Sequence, residues 1–303
     1  MKIFKILVCA GLALVMLSGF DMARHSIPTD EILSGGPPKD GIPAIDNPEF
    51  ATVKDAGFMK NKDRVIGITH NGISKAYAIK ILNWHEIVND KFGEKSVVVT
   101  FCPLCGTGMV FDADSAGRGL TFGVSGLLYQ SDMLLYDRQT ESLWSQVKSE
   151  AVTGKMMGRK LKLLPSSHTT WGAWKKKHPK TLVLTTKTGN RRDYDRDPYK
   201  GYATVKRLYF PVNRQSEAYH PKEQVIGVQV GKVFKAWPFI ELSQARLPVK
   251  EKLNGVSLRV DFDKKTRTAT VYDDEGKEYP SVVAFWFAWY AFHPETAVYK
   301  AKD

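Results

Sequence analysis

One stretch of this chain is written twice, and that repetition constrains the fold more than any composition value does. Val65-Ile66-Gly67-Ile68 and Lys75-Ala76-Tyr77 return 160 residues later as Val225-Ile226-Gly227-Val228 and Lys235-Ala236-Trp237. Val97-Val98-Val99-Thr100-Phe101 is answered by Leu258-Arg259-Val260-Asp261-Phe262, and Met109-Val110-Phe111-Asp112 by Thr270-Val271-Tyr272-Asp273, both at an offset of 161. Trp171, Trp174, His178-Pro179 and Thr181 are matched by Trp286, Trp289, His293-Pro294 and Thr296, all 115 positions on. Four blocks in the same order point to two copies of one folding unit, the second shortened between Asp273 and Pro280.

Within the unit, residues 65–69 and 76–81 read as strands divided by Asn71-Gly72, a pair that supplies the positive φ angles of a tight hairpin. Residues 83–89 read as a short helix with Asn83 as its N-cap. Residues 97–101 form a strand of the buried type, 109–111 the strand returning from the cysteines, and 120–124 and 133–136 further short strands. Residues 170–178 read as an amphipathic helix that packs Trp171 and Trp174 inward and is ended by Pro179. Many short strands with occasional helices predict a β-rich α+β fold, an internally duplicated unit of short strands with a few short helices. The expected division is a leader or anchor over 1–23, an entry segment over 24–63 and a first unit over 64–184. A connecting segment over 185–223 and a second, shortened unit over 224–303 follow, with both units packing as one domain.

The N-terminus, Met1-Lys2-Ile3-Phe4-Lys5 followed by an apolar run from Ile6 to Phe20, has the layout of a secretory signal peptide. The run is shorter than the ~20 apolar residues that span a bilayer. The expected location is therefore outside the cytoplasm, periplasmic or extracellular, with membrane association through the N-terminus if the leader is retained. The net charge is +12, but the basic residues are scattered apart from Lys175-Lys176-Lys177 and Arg191-Arg192. No zinc finger or RNA-binding motif accompanies them, so nucleic acid is not the expected partner. No phosphate-binding loop, dinucleotide fingerprint, His-Glu-x-x-His or EF-hand loop occurs either.

The duplication separates scaffold from candidate site. His178 and His293 stand at matching places beside proline and read as structural. The turn Cys102-Pro103-Leu104-Cys105-Gly106 occurs in the first copy only, replaced in the second by residues 263–269. His85 is also unique to the first copy, answered by Ala245 or a close neighbour, and residues 120–147 have no counterpart. Of three cysteines, Cys9 lies in the apolar leader, which leaves Cys102 and Cys105 as one close thiol pair.

A thioredoxin-like pair opens a helix whose N-terminus lowers the first thiol's pKa. Here Gly106-Thr107-Gly108 and a strand follow instead. Strand, Cys-Pro-x-Cys-Gly and return strand resemble the metal knuckle of rubredoxins and zinc ribbons, where the turn aims both sulfurs at one ion. Such a site needs more ligands than two thiolates. His85 is the first candidate, and Met109 and Met133 are softer options that would favour Cu(I).

The leading expectation is a soft metal ion, Cu or Zn, held by Cys102 and Cys105 with His85. The alternatives are a thiol–disulfide oxidoreductase acting on a partner protein through the same cysteines, and a non-catalytic interaction module in which they are incidental. A structural disulfide is a poor explanation, because so small a loop removes little chain entropy. In the segment after the turn, Ser125 lacks the spacing of a nucleophile elbow, and Asp137-Arg138 reads as a local ion pair.

Residues 40–46, the cysteine turn over 100–107, and residues 122–144, 171–184 and 285–294 resemble an uncharacterised prokaryotic family, the domain-of-unknown-function family numbered 3179. The resemblance covers nearly all of the chain after the leader. Members commonly stand behind export signals. The resemblance implies no reaction and no catalytic residues.

Overall fold

The computed structural model describes residues 19–117 and 119–301. Cys9 and nearly all of the apolar leader lie outside the described residues. Among the described residues no helix is long and apolar enough to cross a membrane. The described residues are strand-rich with four short α-helices among them, a β-rich α+β fold as expected.

The two copies fold alike. In the first, the hairpin Arg64–His70/Ile73–Ala78 leads into the helix Ile79–His85 and then the strands Ile87–Phe92, Lys95–Cys102 and Thr107–Asp112. In the second, Gln224–Val230/Val233–Pro238 leads into Phe239–Gln244 and then Val249–Leu253, Val256–Asp263 and Thr268–Tyr272. A later strand then returns to each first hairpin, Ser167 opposite Gly67 and Val282 opposite Gly227. Each is followed by a tryptophan-bearing helix, Trp171–Lys177 or Trp286–Phe292, and a short parallel strand that adds to the hairpin.

The repeated residues make repeated bonds. Lys75 Nζ and Tyr77 Oη converge on the Asp90 carboxylate at 2.8 and 2.5 Å; Lys235 Nζ and Trp237 Nε1 converge on Glu251, each at 2.8 Å. Trp174 Nε1 donates to Thr181 Oγ1 at 2.8 Å, and Trp289 Nε1 to Thr296 Oγ1 at 2.9 Å. His178 stacks on Trp174 with centroids 4.0 Å apart, and His293 packs on Trp289 at 4.4 Å, so both histidines serve packing. Gly67 and Gly227 are repeated because the tryptophans lie on them: a Cβ at either would sit 2.3 Å from the ring of Trp174 or Trp289. Gly67→Ala and Gly227→Ala should each destabilise by about 3 kcal/mol through overpacking, read as a lowered urea midpoint with an unchanged slope.

Two local expectations are corrected. The first helix spans Ile79–His85 rather than 83–89, because Ile81, Leu82 and His85 bury one face and Glu86, at φ 59°, ends it. Residues 87–92 are a strand paired with Lys95–Cys102. Asp137 and Arg138 are not an ion pair: Asp137 accepts from Trp144 Nε1 at 2.9 Å and from Thr140, while Arg138 reaches Asp46 at 2.6 Å.

The copies share one sheet. Thr107–Asp112 of the first meets Val282–Phe285 of the second at Val283 and Gly108, and Phe285 N donates to the Cys105 carbonyl at 2.8 Å. The cysteine turn therefore stands at the seam between the repeats. Against it packs a separate sheet built from Ile32–Ser34, Phe122–Tyr129, Asp132–Asp137, Leu143–Ser145 and Glu150–Ala151, most of it from the segment that the second copy lacks.

Candidate metal centre

The cysteine turn closes the hairpin in which Cys102 pairs with Thr107. Gly106 adopts φ 58°, and a Cβ there would meet the Phe285 ring at 2.9 Å, so the position needs glycine twice over. Thr107 Oγ1 donates to the Cys105 carbonyl at 3.2 Å. Below the hairpin, Gln146 Nε2 reaches Thr100 Oγ1 at 2.7 Å and the Thr107 carbonyl at 3.3 Å. Both cysteines are unbridged and buried, Cys102 at 2% exposure and Cys105 at 0%.

The third group comes from the other sheet. Phe122–Tyr129 and Asp132–Asp137 are joined by a two-residue turn, Gln130-Ser131, with φ angles of 52° and 64°. That geometry ordinarily selects Asn or Gly, and other residues hold it only when their surroundings impose it. Here Gln130 accepts from Asn213 N at 2.6 Å and donates to Glu31 at 2.9 Å, while Ser131 Oγ donates to the Phe210 carbonyl at 2.8 Å. The strained turn sets its own carbonyl and the next carboxyl over the thiols. Cys105 Sγ donates to the Ser131 carbonyl at 3.2 Å, and the Cys102, Cys105 and Asp132 ligand atoms all lie within 4.8 Å of one another.

Every ionisable side chain gathered at this point is an acid. Asp132 is 1% exposed; burial pushes its pKa from 3.8 up to about 7, against the hydrogen bond its Oδ2 accepts from Val147 N. Glu86 is raised from 4.5 to about 8 by burial and by the neighbouring Asp132. Burial raises both thiols, Cys105 further than Cys102 because Cys102 and Asp132 also oppose its ionisation. Asp132 Oδ1 and the Tyr202 hydroxyl are buried with no hydrogen-bond partner among the described residues. An uncompensated group of acids is costly to bury unless protonated or met by a cation.

His85 does not join this group. It is fully buried at the end of its helix, with Nδ1 donating to the Pro43 carbonyl and Nε2 accepting from Tyr194 Oη, both at 2.7 Å. Burial lowers its pKa, so it is held neutral with both nitrogens engaged. The side chain that stands with the two thiols is Asp132, and His85 is not among them. Met109 and Met133 share the buried cluster that holds Cys102 and Cys105.

Asp132 lies inside the single-copy segment, which was the signal available for finding it. Glu86 stands next to His85. The connecting segment over 185–223 supplies Tyr194 to His85 and sets Tyr199 and Tyr202 near the thiols, where burial first, and after it charge on Glu86 or the cysteines, opposes loss of the phenol protons.

Zinc is held by sulfur, nitrogen and oxygen donors at roughly 2.0–2.3 Å, which sets tetrahedral ligand atoms roughly 3–4 Å apart. Two thiols and a carboxyl within 4.8 Å approach that spacing, and the unpartnered Oδ1 provides a free lone pair. No curated protein and no solved structure matches the chain. Residues 39–296 match the family described as Protein of unknown function (DUF3179), and the chain belongs to that family.

Proposed function

We propose that this chain is an exported protein that binds a soft metal ion through Cys102, Cys105 and Asp132. The observation that carries the reading is the buried group of four acids, these three with Glu86, held together with no basic side chain among them. A divalent ion would replace the protons that the fold otherwise retains. Two sulfurs and one carboxylate oxygen suit Zn(II) better than Cu(I), which prefers sulfur alone. Three protein ligands would leave a fourth position for water or another molecule, the arrangement of catalytic zinc sites.

The experiment is elemental analysis after loading with Zn(II) or Cu(I) under reducing conditions. Wild type should retain about one equivalent, Cys102→Ser and Asp132→Asn less than about a tenth of that, and His85→Gln the wild-type amount. Full retention by Asp132→Asn and loss in His85→Gln would reverse the ligand assignment. Full retention by Cys102→Ser would end the metal reading.

A second reading has one observation in its favour. A carboxyl with a pKa of about 7 beside a dithiol can take up a thiol proton, as oxidation to a disulfide requires. That cycle would need the disulfide of a partner protein as oxidant, two electrons and two protons leaving the cysteine pair. Against it stand thiols that are almost fully buried and raised in pKa, since exchange needs an accessible thiolate.

A further inference from the structure

We infer that the cleft over the outer face of the cysteine turn binds a small molecule with an oxyanion head, a phosphate ester or a carboxylic acid, and an apolar or aromatic body. The cleft has a volume of about 540 Å³, within the usual range for small-molecule sites, and Pro103 and Gly106 of the turn form part of its wall. This inference stands on the cleft alone and does not depend on the metal.

The charge of the lining is lopsided. Arg64, Lys222, Lys265 and Arg267 line the cleft against one carboxylate, Asp197, which is occupied by Asn83 Nδ2 at 3.0 Å and Tyr199 N at 2.9 Å. Among the described residues Arg64 forms no ion pair. Its guanidinium donates to the Thr266 and His168 carbonyls at 2.6 and 2.8 Å, and burial beside Arg267 lowers its pKa to about 10. Lys222 is only 4% exposed and also meets no carboxylate. Its ammonium donates to the Val205 and Arg207 carbonyls at 2.5 and 2.7 Å and lies 4.0 Å from the centre of the Tyr202 ring. Two carboxylates stand just outside the lining: Glu223, 3.7 Å from Arg267, and Asp263, which accepts from Lys265 N at 2.8 Å.

Partly desolvated cations that outnumber the anions around them are unfavourable in the free protein and favourable once a further anion enters. Guanidinium groups match the planar oxygens of carboxylates and phosphates in pairs of hydrogen bonds. His168 also lines the cleft, but burial and Arg64 lower its pKa to about 4, so it is neutral there, with Nε2 donating to the Gly108 carbonyl at 3.1 Å. Much of the remaining wall is apolar or aromatic, with Ile79, Phe101, Tyr199 and Phe285 in the lining beside Pro103.

The test is calorimetric titration of the full protein with phenyl phosphate, benzoate, inorganic phosphate and the neutral phenyl glucoside. Phenyl phosphate or benzoate should bind, whichever is tighter identifying the head group, and phenyl glucoside should bind at least about tenfold more weakly. The exposed pair Lys265→Gln and Arg267→Gln, changed together in a variant whose folding is checked by circular dichroism, should weaken the tighter probe by about tenfold. No binding of either aromatic anion up to roughly 10 mM, or affinity unchanged in the double variant, would overturn the inference. Inorganic phosphate binding as tightly as phenyl phosphate would remove the apolar body from it.

Discussion

Metal-free protein should lose stability as the pH rises from about 4 to about 8, and Asp132→Asn should recover a large part of that loss. Well below pH 4 Asp132 and Glu86 are protonated in the folded and unfolded chain alike, so neither affects the balance. Above it the unfolded chain releases these protons at ordinary carboxyl values, whereas the fold keeps them until about 7 for Asp132 and about 8 for Glu86. The folded state then binds more protons than the unfolded one, and stability falls by up to about 1.4 kcal/mol per pH unit for each group. The fall is complete once the pH passes the folded values.

Asparagine keeps the shape and cannot ionise. Asp132→Asn should therefore match wild type near pH 4 and exceed it at pH 8 by roughly 2–4 kcal/mol, a gain of about 5 °C or more in melting temperature. Glu86→Gln should act in the same direction. The two gains together should be smaller than their simple total, because the charge on Asp132 is part of what raises Glu86. Thermal melts of chelator-treated protein at pH 4, 6 and 8 check this. An asparagine variant no more stable than wild type at pH 8 would mean that the carboxylate is already compensated.

How far this site could be read from the sequence differs from group to group. The repeat was legible because its constraints are local and doubled: glycines beneath tryptophans, and a lysine with an aromatic two residues later, both converging on one carboxylate. The cysteine turn was legible for the opposite reason, being present in one copy alone. The seam was not, because a single pairing of Val283 with Gly108 across the repeats leaves no periodic trace in either strand.

His85 drew attention as a lone histidine near the cysteines in sequence, yet the helix that carries it begins at Ile79 and turns its ring toward Pro43 and Tyr194. Asp132 gave little signal of its own, since an aspartate after a turn is ordinary on a protein surface. Only the packing of the single-copy sheet against the seam buries it, and the Gln130-Ser131 turn that aims it carries none of the usual glycine or asparagine. Comparing the copies nonetheless enclosed it within residues 120–147.

Metal binding should be steeply dependent on pH, and the steepness should count the protons displaced. Both thiols are held above their ordinary range, so at pH 6 each must give up a proton to become a ligand. Asp132, with a pKa of about 7, is also mostly protonated at pH 6 and mostly ionised at pH 8. Zn(II) binding to wild type should therefore release about three protons near pH 6 and about two near pH 8, making affinity climb roughly 1000-fold and then roughly 100-fold per pH unit. Asp132→Asn cannot release the third proton, so any residual binding should follow the shallower slope throughout.

Chelator competition at several pH values gives the slope, and calorimetry in buffers of different ionisation heats counts the protons directly. A redox dithiol has no need of this behaviour. Wild type releasing fewer than about one proton at pH 6 would mean that the thiols do not ligate. The buried acids would then be left as a proton store beside a dithiol, and the oxidoreductase reading would take precedence.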